Sequence, residues 1–182
     1  TASYSVTVTD NNGCSATAAA AVPQPAALTA SVSNSGNVSC NGLCNGYAQV
    51  SAGGGTPAYT YLWSNSSISQ VNSNLCAGSY TVTVTDANNC TKTASVVIAQ
   101  PGAFASGISG TNVACGGNCD GQAAVAPSGG SAPYAYLWSA NAGFQSAPTA
   151  TGLCGGNYFV TITDTNGCQV FKNIYILEPT PL

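Results

Sequence analysis

The chain has 182 residues, and only 4% of them are charged: five acids, two lysines (Lys92 and Lys172), no arginine and no histidine. Soluble domains average roughly a quarter charged, and without a basic patch neither nucleic acid nor an anionic membrane surface is an expected partner. Nine cysteines in a chain without histidine speak against the usual zinc sites and for disulfides, hence for an oxidising, extracellular setting. No apolar stretch approaches the roughly 20 residues of a membrane helix, so direct membrane insertion is not expected.

The first element is an alternating run, Tyr4-x-Val6-x-Val8-x-Asp10, closed by Asn-Asn-Gly-Cys14 and followed by the Ala-rich stretch 16–21. The same phrase returns at Tyr80–Cys90 and again at Tyr158–Cys168, so the last cysteine recurs after 76 and then 78 residues. A fixed period of this size predicts a tandem array of one module. Proline follows each of these cysteines at plus eleven, at Pro25, Pro101 and Pro179. These landmarks divide the chain into the C-terminal part of a repeat (1–25), complete repeats at 26–101 and 102–179, and the start of another at 180–182. The expectation is a window on a longer secreted polypeptide.

Within the first complete repeat, period-two patterning with Gly, Pro and Asn punctuation predicts strands near 27–33, 46–52, 57–64, 67–73, 79–86 and 91–99. Tyr80, Val82 and Val84 share one face and Thr81, Thr83 and Thr85 the other, which predicts one buried and one wet side. No segment reads as a helix, and 16–21 aligns with the strand-like 92–97. The second repeat carries three extra residues between Trp138 and Leu153, expected to form a loop. Six or seven short strands in about 75 residues predict a small all-β sandwich that needs disulfides beside its core.

Four cysteines lie in each complete repeat: Cys40, Cys44, Cys76 and Cys90, then Cys115, Cys119, Cys154 and Cys168. Four allow three connectivities, and spacing alone leaves them open. Cys14 stands where a repeat has its last cysteine, so its expected partner lies outside the chain.

Cys40-Asn-Gly, Gly54-Gly-Thr-Pro57, Tyr59-Thr-Tyr-Leu-Trp63, Gly78-Ser-Tyr80 and Val82-Thr-Val-Thr-Asp86 through Cys90 together resemble the SprB-type repeat of large surface adhesins in gliding Gram-negative bacteria. The resemblance extends over nearly the whole chain. It implies tandem immunoglobulin-like β-sandwich modules, exported by type IX secretion to the cell surface and used in adhesion or gliding. It further implies that the first and last cysteines of a repeat pair, Cys40–Cys90 and Cys115–Cys168. The additional pairs are then Cys44–Cys76 and Cys119–Cys154, with the crossed arrangement Cys40–Cys76 and Cys44–Cys90 as the alternative.

Three other groups of residues invite a functional reading. Tyr59, Tyr61 and Trp63, with Tyr134, Tyr136 and Trp138, form aromatic rows that could stack on sugars, although a tryptophan beneath the disulfides of a sandwich is more naturally core. Tyr80 and Tyr158, two residues after a glycine, fit corner tyrosines that tie a loop. Asp10, Asp86 and Asp164 invite a calcium reading, but one carboxylate per turn is few for that ion. An aspartate before Asn-Gly or Asn-Asn is the residue of a hairpin that caps its own backbone. With no histidine and with oxidised cysteines, an enzyme is not expected, nor are a metal or a cofactor. The function expected is that of a structural segment in an extracellular adhesin or cell-surface filament, a disulfide-stabilised stalk whose partners are adjacent repeats or neighbouring filament chains. The rival is a carbohydrate-binding module array, whose partners would be surface glycans.

Overall fold

The computed structural model describes residues 2–180. Of the expected start of a further repeat at 180–182, residues 181 and 182 lie outside the described residues. The fold is all-β. A hairpin comes first, β1 (Ala2–Thr9) and β2 (Ser15–Val22), with Tyr4 opposite Ala20 and Val6 opposite Ala18. The Ala-rich stretch is thus a strand, because its cross-strand partner overrides alanine's preference for helix.

The first complete repeat contains β3 (Thr29–Gly36), β4 (Gly46–Gly53), β5 (Thr60–Trp63), β6 (Val71–Leu75), β7 (Gly78–Thr85) and β8 (Thr91–Ile98). The second contains β9 (Ala105–Thr111), β10 (Gly121–Ser128), β11 (Ala135–Trp138), β12 (Thr149–Leu153), β13 (Gly156–Thr163) and β14 (Gln169–Ile176). Each repeat forms two three-stranded sheets, β3-β4-β6 with β5-β7-β8, and β9-β10-β12 with β11-β13-β14. First, second and fourth strands make one sheet; third, fifth and sixth make the other. That partition is the A-B-E and C-F-G arrangement of an immunoglobulin-like sandwich. The three extra residues of the second repeat fall in a short 3₁₀ turn, Ala140–Ala142, that leads into the loop before β12.

Alternation places the core as its periodicity predicts. In β7, Val82 and Val84 are buried while Thr81 is exposed and Thr83 and Thr85 are half-covered. In the second repeat one cluster takes residues from both sheets: Ala123 and Val125 on β10, Ala150 and Leu153 on β12, Trp138 on β11, Val160 and Ile162 on β13, and Ile176 on β14. The β1–β2 hairpin differs. Tyr4, Val6 and Val8 occupy the positions of Tyr80, Val82 and Val84 yet remain 64%, 59% and 67% exposed.

The backbone divides into two compact units. One comprises the described residues up to Asn34 together with Ala48–Asn72 and Tyr80–Val96; the other comprises Ser35–Tyr47, Ser73–Ser79 and the described residues from Val97 onward. The second unit therefore holds the loop with Cys40 and Cys44 and the turn with Cys76, in addition to the second repeat.

Candidate functional site

Seven of the nine cysteines lie in two substructures, a hairpin turn and a loop, whose central hydrogen bonds recur from copy to copy. The turn begins at an aspartate. Asp86 accepts the backbone N–H groups of Asn88 at 2.9 Å and Cys90 at 2.8 Å, while its own N–H donates to the Cys90 carbonyl at 3.0 Å. Asp164 does the same with Asn166 and Cys168, and Asp10 with Asn12 and Cys14. The residue before the cysteine has positive φ, at Gly13 (86°), Asn89 (63°) and Gly167 (81°). This is why the motif ends Gly-Cys or Asn-Cys: those two residues enter the left-handed region most readily.

In the complete repeats the aspartate also reaches the loop that joins the two sheets, β4 to β5 or β10 to β11. The N–H of Thr56 donates to the Asp86 carboxylate at 2.9 Å, and that of Ser131 to Asp164 at 2.9 Å. The preceding Gly55 and Gly130 permit this approach. A Cβ on either would stand 2.6 or 2.8 Å from the aspartate oxygen, and both have positive φ. The N–H of Thr56 is the largest influence holding the Asp86 carboxyl below its ordinary value, with the amides of Cys90 and Asn88 acting in the same direction against burial. At Asp164 burial is the largest single influence and pushes upward, but the amides of Ser131, Cys168 and Asn166 outweigh it, and the net shift is again downward. Backbone donors fill these carboxylates, so they serve the turn and have little left to offer a cation.

A depressed native value has a definite pH signature. The unfolded carboxyl protonates first as pH falls, so the stabilisation is complete above the ordinary 3.8 and is lost as pH drops through the lower native values. Thermal unfolding recorded from pH 6 to pH 2 should show the wild-type midpoint fall below about pH 4. The double variant Asp86→Asn, Asp164→Asn should start lower and show a shallower fall. An equally steep acid limb in the double variant would mean that other groups carry it.

The loop before β4 holds Cys40 and Cys44, and the loop before β10 holds Cys115 and Cys119. Val38 N–H donates to Ala99 O at 3.0 Å, and Ala99 N–H returns a bond to Asn37 Oδ1 at 3.0 Å. Ser39 N–H is taken by Asn45 Oδ1, Asn41 Nδ2 donates to Pro101 O, and Gly42 N–H donates to Gln100 Oε1. The second repeat repeats the scheme with Val113 on Leu177, Leu177 on Asn112, Ala114 on Asp120 and Gly117 on Glu178. Gln100 and Glu178 were not singled out from the sequence, but their signal was present: Gln24, Gln100 and Glu178 each stand directly before the recurring proline.

These placements decide the disulfides. Cys44 is bonded to Cys76 and Cys119 to Cys154, each within one repeat. The expected Cys40–Cys90 and Cys115–Cys168 bonds are corrected: Cys40 is bonded to Cys168 with Cα atoms 5.7 Å apart, and Cys14, Cys90 and Cys115 are exposed thiols. The reason is the length of a strand. The Cys40 loop is tied to Ala99 and Pro101, just past the end of β8, whereas Cys90 immediately precedes its start. Eight extended residues separate the two sites by roughly 25 Å, far beyond the roughly 4.4–6.8 Å that a disulfide spans between Cα atoms. Cys115 and Cys168 are kept apart by β14 in the same way. The Cys40–Cys168 junction lies within the second compact unit, where Asn166 Nδ2 also donates to Ser39 O at 3.0 Å.

The aromatic rows do not form open platforms. Trp63 and Trp138 are 2% and 0% exposed, and their indole N–H groups donate to Ser69 O and Ala147 O. A ring enclosed on both faces cannot stack on a sugar, which corrects the ligand-contact expectation for the two tryptophans. Tyr59, Tyr61, Tyr134 and Tyr136 are half-buried. Tyr59 and Tyr134 donate their hydroxyls to Gly54 O and Gly129 O, and the Tyr134 ring stacks on Phe104 with centroids 5.5 Å apart. Tyr158 is a corner tyrosine, its hydroxyl on Cys154 O at 3.1 Å.

The SprB repeat family matches the chain at residues 32–67 and 108–143, once in each complete repeat. No curated protein matches it. Among solved structures it is similar to murine CEACAM1b, with 12% identity over 84% of this chain and all of that one, and a TM-score of 0.30. That score is too low to carry any argument.

Proposed function

We propose that this chain, which carries two SprB repeats, is a load-bearing stalk segment of an extracellular adhesin or cell-surface filament. The observation that carries the reading is where its reactive and polar groups are used. The two tryptophans, two of the aspartates and four of the nine cysteines are engaged within the sandwiches, and two further cysteines join one repeat to the next. The SprB matches support a surface-associated protein, and the disulfides are consistent with an oxidising exterior. On this reading the chain is not an enzyme, and its partners are further repeats of its own kind.

The mechanism is mechanical. Force applied at the ends can draw out only residues outside the outermost covalent loop. The Cys40–Cys168 bond encloses a sequence separation of 128 residues. Pulled from its two ends in a single-molecule experiment, the oxidised chain should therefore lengthen by about 180 Å, the contribution of the residues outside the loop at about 3.5 Å each. After reduction the extension should grow by about a further 450 Å. Equal extensions in the two states would show that the bond carries no load and would defeat the stalk reading. The carbohydrate-binding alternative would be favoured instead by oligosaccharides that shift the ring resonances of the half-buried Tyr61 and Tyr136.

A further inference from the structure

The five cysteines outside the Cys44–Cys76 and Cys119–Cys154 bonds fall into two positional classes across the repeats. Cys40 and Cys115 are loop cysteines; Cys14, Cys90 and Cys168 are hairpin cysteines. The long-range bond joins one of each, and it has a direction: the loop of one repeat takes the hairpin of the repeat that follows it. The three thiols left over are one loop cysteine and two hairpin cysteines.

Cys115 and Cys90 sit on scaffolds that repeat the main hydrogen bonds of their bonded counterparts, and Cys14 sits on the same aspartate turn. The Cys115 loop is pinned through Ala114, Gly117 and Asn118 as the Cys40 loop is pinned through Ser39, Gly42 and Leu43. The Cys90 turn has the aspartate cradle of the Cys168 turn, and its Asn88 Nδ2 donates to Thr56 Oγ1 as Asn166 Nδ2 donates to Ser131 Oγ. Asn166 places the same amide on the carbonyl of Ser39, the residue before the bonded loop cysteine. Asn88 and Asn12 hold the corresponding position in the other two turns. The hairpin thus carries a preset donor beside its sulfur, and the strand length that separates Cys115 from Cys168 forbids closure within a repeat.

We propose that Cys115, Cys90 and Cys14 are open halves of the junction formed by Cys40 and Cys168, and that each closes on the complementary half of another SprB-type repeat, which a second copy of this chain can supply. The inference rests on the stalk reading, in that it takes the repeats to act in series. In the bond-forming step two thiols lose two protons and two electrons to a small-molecule disulfide, which leaves as two thiols. Because a loop accepts only a hairpin, the contact is head-to-tail, and repeated addition yields an open fibre where the rotation between copies does not close a ring. The Cys40–Cys168 junction has two covalent connections, the main chain and the disulfide; a junction closed between two copies has the disulfide alone.

The test uses the whole 182-residue chain, concentrated and incubated with glutathione disulfide. A ladder of covalent oligomers is expected on a non-reducing gel, with peptide mapping finding Cys115 joined to Cys14 or Cys90 of another copy. Cys115→Ser should abolish the ladder while Cys40 stays bonded to Cys168, which reports that the variant is folded. Cys14→Ser and Cys90→Ser should each keep a ladder, and the double variant should lose it. Oligomers that persist in Cys115→Ser through hairpin–hairpin bonds would overturn the proposal. So would wild-type chains that remain monomeric, or Cys115 closing on Cys14 or Cys90 of its own chain. The pulling experiment does not use these three thiols, so a clamped extension beside a monomeric gel would sink this inference and leave the stalk standing.

Discussion

Reduction of the three disulfides is expected to unfold the repeats or leave them marginal at room temperature. The bonds Cys44–Cys76 and Cys119–Cys154 close sequence separations of 32 and 35 residues, and Cys40–Cys168 closes 128. On the chain-entropy account, loops of these lengths stabilise by about 4 kcal/mol each for the short pair and about 5 kcal/mol for the long one. A domain of this size has roughly 5–15 kcal/mol in total. The long bond should be separable from the short ones: Cys40→Ser removes it alone and should leave each sandwich folded with a lower midpoint. Urea unfolding followed by tryptophan emission, with and without reductant, checks the expectation. A midpoint that does not move on reduction would mean that the apolar cores suffice.

Most of the fold was legible because the repeats make the same statement more than once. The period-two runs at 79–86 and 91–99 became β7 and β8 within a residue or so, and the three-residue surplus after Trp138 fell in a turn. The aspartates were legible as turn residues because Asp-x-Asn followed by Gly or Asn is a local instruction, satisfied within five residues. The long-range bond was not legible, and the reason is physical. A sequence shows that Cys40 and Cys90 open and close a repeat, but not that they end up at opposite ends of the strand between Thr91 and Ile98. Pairing the first and last cysteine of a repeat treats it as a closed loop; a sandwich strand instead carries its two ends roughly 25 Å apart. The Gln or Glu before each recurring proline was visible too, but nothing short of the folded loop connects Gln100 to the amide of Gly42.

Trp138→Ala should destabilise the second repeat by about 3–5 kcal/mol, the usual result of emptying a fully buried aromatic site, and Trp63→Ala should do the same to the first. Phenylalanine at either position should recover part of the loss, since it restores ring volume but leaves Ala147 O or Ser69 O without its indole donor. A sharper test of how burial decides energy comes from one motif in two surroundings. Val82 and Val6 occupy the same place in Tyr-x-Val-x-Val-x-Asp, yet Val82 is 0% exposed and Val6 is 59% exposed. Val82→Ala removes two methyl groups from a packed core, about 2 kcal/mol by transfer and cavity terms. Val6→Ala removes them from a surface that water already reaches, and should change stability by no more than about 0.5 kcal/mol. Denaturant unfolding of the two variants measures the difference. An equal loss at Val6 would show that the outer face of the β1–β2 hairpin is covered in solution, with Tyr4, Val6 and Val8 packed as Tyr80, Val82 and Val84 are.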